Sequence, residues 1–221
     1  MAEVTVSKIF PAGFGWQYGS SIAATLGYMP TDVGFALLTG VGDFSGVFLG
    51  HVFYYAGKKA FDNNINITEQ AQVGALLASA AFCSGFAWQP LVNVFQASGI
   101  PFLNVAAGAW AGCGLAFFTG LRIFRTLYNP VLPHVATNST KNFRDDACLS
   151  LSIGGASGAF VGTDVMYLSG DGNFLKDVVG VLPTDTVLIG CVKAGSSTSI
   201  GFIAAQSAQN VAEDKGKSWA D

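Results

Sequence analysis

The chain has 221 residues, of which 51% are hydrophobic and 11% charged, with a mean hydropathy of +0.45. Soluble domains carry about 25% charge, so the composition points to a membrane protein, and a net charge of −3 without a basic, aromatic-interleaved stripe argues against a nucleic-acid-binding protein. Cys83, Cys113, Cys148 and Cys191 lie one per apolar segment with no CxxC or Cys/His spacing, so no metal or other cofactor is expected and the four read as small packing residues.

Crossing about 30 Å of hydrocarbon takes roughly 20 apolar residues. Six segments qualify: 10–29, 32–57, 70–98, 101–128, 147–169 and 181–210. The start, MAEVTVSKIF, lacks the charged region, apolar core and cleavage site of a secretory signal. Pro30-Thr31-Asp32 opens the second segment and Pro183-Thr184-Asp185 the sixth, with Thr or Asp as the helix cap. Pro90 removes a backbone donor in the third and predicts a kink. Pro101 opens the fourth, and Pro130 and Pro133 follow its end. Asp145-Asp146 reads as a solvated start to the fifth, favourable at a helix amino terminus. The sixth carries Lys193 and a Ser-Ser-Thr-Ser run at 196–199, which predicts a broken or re-entrant segment.

With six spans, Lys8, Lys58, Lys59, Arg122, Arg125, Lys141, Arg144, Lys215 and Lys217 fall on one side; Lys176 is opposite and Lys193 intramembrane. Lys and Arg accumulate on the cytoplasmic side, so both termini are expected in the cytoplasm or an equivalent compartment. The sequons at Asn66 and Asn138 then face inside, and glycosylation of either would invert the topology.

Gly42, Gly46 and Gly50 repeat as Gly154, Gly158 and Gly162, 112 positions on, and Ser45/Ser157, Phe48/Phe160 and Tyr55/Tyr167 match at the same offset. Glycine every fourth residue bares a strip on one helix face, costing about 1 kcal/mol per glycine in water relative to alanine. In lipid the strip admits another backbone closely. Three crossings separate the copies, so they run oppositely. The expected fold is an all-α polytopic membrane bundle of about six transmembrane helices. It is one domain over 1–221 in an inverted three-plus-three repeat, with halves 10–98 and 101–210. Span four adds Gly108, Gly112, Ala116 and Gly120 at the same spacing. The glycines either only pack helices, or also expose backbone along a pore. Val47, beside Gly46, reads as lipid-facing.

Charges inside the spans narrow the choice. Asp43 lies in span two with His51 two turns on, Asp164 near the outer end of span five, and Lys193 in span six. A charge at the bilayer centre costs about 2.5–3.5 kcal/mol on insertion scales. Asp43 and Lys193 are opposite in sign and are expected to share a partly hydrated interior, as a structural pair or along an ion path. His51 reads as a packing or interfacial histidine. Gln17, Gln72, Gln89, Asn93 and Asn104 bridge helices at modest gain. No paired carboxylates, nucleophile elbow, phosphate loop or metal cluster argues for an enzyme.

On these residues the chain resembles the trimeric intracellular cation (TRIC) channels. The matching positions are Gly42, Gly46 and Gly50, Gly154, Gly158 and Gly162, Arg122 and Arg125, with LLASAAFCSGFAWQPLV on span three and LPTDTVLIGCV entering span six. It differs from that family in having six spans rather than seven and in the side of its amino terminus. The resemblance implies a homo-oligomer in an intracellular membrane, with the family's trimer as the form it suggests.

The first reading is therefore a small channel in a lipid bilayer that passes a small ion, a cation by preference, as a homo-oligomer. Its expected pore-lining or gating set is Gly42, Asp43, Gly46, Gly50, His51, Gly154, Gly158, Gly162, Asp164 and Lys193. Arg122 and Arg125 sit at the cytoplasmic end for anionic lipid or voltage sensing. The alternative is a non-catalytic structural subunit of a larger membrane complex.

Overall fold

The computed structural model describes residues 6–99, 102–131, 143–168 and 185–218. These form six helices: α1 (Val6–Thr25), α2 (Val33–Lys59), α3 (Ile67–Ala97), α4 (Phe102–Tyr128), α5 (Phe143–Leu168) and α6 (Val187–Ser218). Each falls on one expected apolar segment. Four are long and apolar enough to cross a membrane: Val33–Lys59, Ile67–Phe95, Val105–Tyr128 and Val187–Ala212. The described residues are thus all-α, and the four apolar helices mark an integral membrane protein.

Local chemistry sets the helix ends. Asp32 stands at the N-cap of α2 in extended backbone, but its carboxylate accepts from the Met29 N–H (2.7 Å) rather than from the helix. Asn66 caps α3, its side-chain oxygen accepting from the Thr68 and Glu69 N–H groups. At α6 the cap is Thr186, one residue later than expected, accepting from the Ile189 N–H. Gly27 (φ 85°) and Gly99 (φ 65°) turn the chain after α1 and α3, in a region that L side chains rarely adopt. The α3 helix continues past Pro90 to Ala97.

The helices close into a ring. Each packs chiefly on two others: α1 on α2, α2 on α3, α3 on α4, α4 on α5, α5 on α6, and α6 back on α1. Neighbours run antiparallel: Gly15 meets Gly42 while Pro11 meets Gly46, and Gly120 meets Cys83 while Gly108 meets Phe95. Small residues fill the interior, with Ala78, Ala80, Ala109, Cys113, Cys191 and Ala194 all buried. Large apolar side chains such as Val41, Leu49, Phe53, Leu115, Leu151 and Ile203 are exposed outside. That reversal suits lipid, where helices gain from close backbone packing rather than from hiding leucine.

Two expectations are corrected. Val47 does not face lipid; it is 9% exposed and belongs to the interior cluster with Leu76, Phe117 and Leu121. The sixth segment is not broken or re-entrant, because α6 is one unbroken helix. The hydroxyls of Ser196, Ser197, Thr198 and Ser199 each donate to a carbonyl three or four residues back, which satisfies them without opening the helix.

Candidate functional site

Five helices line one central cavity of about 60 Å³. A water needs about 10–15 Å³ on this measure, so there is room for a few. The polar wall is Asp43 from α2, Ser84 from α3, Ser157 from α5 and Thr198 from α6. The fourth helix completes the circle, with buried Cys113 beside Ser84 and Ser157. Trp16 of α1 and Trp88 of α3 also line the space, their rings edge-to-face at 4.4 Å.

Each group is placed by its helix. Gly85 makes room for the carboxylate: a Cβ there would lie 2.8 Å from Asp43 Cβ and 2.9 Å from Asp43 Oδ2. Thr39, one turn before Asp43, donates within its own helix and to the Gly85 carbonyl, which pins α2 against α3. Thr198 donates to the Ala194 and Gly195 carbonyls and Ser157 to that of Ile153. A hydroxyl whose proton is held by its own helix keeps lone pairs for another partner. Asp43 itself makes no hydrogen bond or ion pair among the described residues. The wall therefore offers a carboxylate and acceptor oxygens, an arrangement that attracts cations and repels anions.

The expected partnership of Asp43 with Lys193 does not form. Lys193 Nζ donates to both carboxylate oxygens of Asp185, at 2.9 and 3.1 Å, two turns earlier at the start of α6. The lysine thus sits near a helix end, where a partner outside the apolar stretch can reach it. His51 lies away from the cavity, buried between α2 and α3 against Gln70 Oε1 (3.3 Å), the Tyr55 ring and Gly74. That is the packing reading.

The glycine strips serve helix contact. A Cβ on Gly42 would strike the Gly15 carbonyl, and one on Gly46 that of Pro11, both on α1. Gly154 meets the Trp110 carbonyl and Gly158 that of Ala106, both on α4. Gly50 lines the outer groove between α1 and α2. Gly162 and Asp164 lie on α5, and their side-chain surroundings fall outside the described residues.

Arg122 and Arg125 converge on one carboxylate. Both bind Asp146: Arg125 through two bonds (2.8 and 3.0 Å) and Arg122 through one (3.3 Å). Asp146 is 2% exposed, which corrects its reading as a solvated helix start. Two guanidinium groups supply the compensation that a buried carboxylate needs. The result is a clamp between α4 and α5.

Sequence reasoning missed Ser84, Gly85, Trp16, Trp88, Cys113 and Thr198 as neighbours of Asp43. The only signal available was the Ser157 match within the repeat. No family model matches the chain, and neither a curated protein nor a solved structure matches it.

Proposed function

We propose that the protein is a small membrane channel for a small cation, conducting through the centre of its own helix ring past Asp43. One observation carries the reading. A carboxylate stands inside a ring of helices, beside a cavity with room for a few waters and walled by acceptor oxygens. Such a residue inside a membrane is a functional site by default. The path differs from one beside the glycine strips, because Gly42, Gly46, Gly154 and Gly158 are occupied by α1 and α4. Six crossings, cytoplasmic termini, an intracellular membrane and a homo-oligomer complete the proposal, and the resemblance to TRIC channels points the same way.

Paired glycine contacts support an inverted repeat. The partners of Gly42 and Gly154 are Gly15 and Trp110, and those of Gly46 and Gly158 are Pro11 and Ala106, the same 95-residue step in both cases. The alternative, a structural subunit of a larger complex, leaned on strips free to meet partners. Here both strips are largely engaged within the chain.

Reconstitution into liposomes with flux assays for K⁺, Na⁺, H⁺ and Cl⁻ tests the reading. The expected result is cation flux that Asp43→Asn lowers by about tenfold or more, the factor that 1.4 kcal/mol represents. Elution volume and helicity should stay unchanged. Absence of flux from the wild-type protein would leave the structural-subunit reading, and equal flux in Asp43→Asn would remove the path past this residue.

A further inference from the structure

Outside the ring, α1 and α2 border a groove of about 760 Å³ along their glycine seam. That lies within the range of about 300–1,000 Å³ typical of ligand sites. Its floor is the seam at Gly15 and Gly42, and its rim includes Tyr18, Val41, Leu49 and Phe53, all about half exposed or more. From Leu38 to Tyr54 along α2 it runs roughly 24 Å at 1.5 Å per residue, so it is a slot rather than a bowl.

No Asp, Glu, Lys or Arg lines the slot. Two lysines stand at one end. Beyond Tyr54, the last lining residue, Lys58 Nζ stands 4.9 Å from the Tyr54 ring centroid and 5.9 Å from that of Tyr55. Lys59 follows, exposed, in the last turn of α2. An apolar slot with a cationic mouth matches a molecule with a long apolar tail and one anionic head.

We propose that this groove binds an anionic phospholipid, one acyl chain lying along the glycine seam and the phosphate at Lys58 and Lys59. Aromatic walls suit an acyl chain, and each lysine near a lipid phosphate favours the anionic headgroup. The inference stands apart from conduction, because the groove and the cavity lie on opposite faces of α2.

Native mass spectrometry of the detergent-purified full chain tests it. The probes are phosphatidylglycerol and phosphatidylcholine with identical chains. Phosphatidylglycerol should be retained over phosphatidylcholine by about fivefold or more. Lys58→Gln with Lys59→Gln should abolish that preference while both lipids still bind. Lys59→Gln alone, at an exposed site, should lower it part-way, which keeps the test decisive if the double variant unfolds. Ser45→Trp, which fills the slot, should lose both lipids with an unchanged melting curve. Three results would overturn the proposal: equal retention by the wild type, an unaltered preference in the lysine variants, or a groove closed by a second copy, seen as a lipid-free dimer that Ser45→Trp splits.

Discussion

At Gly46 a side chain would fall on the Pro11 carbonyl of α1, whereas at Gly158 it would lie 3.1 Å from that of Ala106. Neither carbonyl can move without its helix, but the second contact needs a far smaller shift. Gly46→Leu should therefore destabilise by more than the about 1–3 kcal/mol usual for overpacking, and Gly158→Leu should fall inside that range. Val41→Leu, on the exposed rim, should stay within about 0.5 kcal/mol. Thermal unfolding in detergent ranks the three; equal tolerance at Gly46 and Val41 would remove the seam as the cause. The glycine spacing was legible in the sequence because it is local. The placement of Asp43 was not, since its expense in lipid can be met by any partner that reaches it. Charge sign suggested Lys193, but Asp185, just ahead of the lysine's own helix, reaches it first. Gly85 and Ser84 carried no mark to separate a cavity wall from ordinary small-residue packing.

Between elements, the clamp of Arg122 and Arg125 on Asp146 has a clear energetic signature. Removing one partner of a buried ion pair strands the other charges, at about 3–5 kcal/mol. Both arginine side chains keep some exposure (27% and 18%), so the loss should lie at the lower end. Asp146→Asn should lower the unfolding midpoint strongly. Arg122→Met, Arg125→Met and Asp146→Leu combined should recover part of the loss, because no charge is left unpaired. An Asp146→Asn protein with wild-type stability would contradict the clamp. The helices were readable from apolar run length and proline punctuation, and all six fall where those signals put them. Helix faces were harder to read. Asp145-Asp146 looks solvated in sequence because nothing there indicates that two arginines on the preceding helix converge on the second carboxylate. Likewise the serine run in α6 looked helix-breaking, yet back-bonding hydroxyls make it compatible with an unbroken helix.

On the scale of the whole molecule, six successive antiparallel helices place alternate turns at opposite ends of the bundle, and the proposed six crossings would set them on opposite sides of the bilayer. Single cysteines at Thr31 and Ser98, in a background lacking the four native ones, should react with an impermeant thiol reagent from one side, and Asn64→Cys from the other. Labelling of all three from the same side would rule out this threading. The ring also makes the first and last helices neighbours, and this bears on biosynthesis. Asp43 enters the membrane with the second helix, but Thr198, part of its final wall, arrives with the sixth, which begins at Val187. At about 5–20 residues per second, the carboxylate waits on the order of ten seconds for that wall. A nascent chain must keep it hydrated or protonated for that interval, so the membrane insertion machinery meets an open five-helix horseshoe before it releases a closed ring.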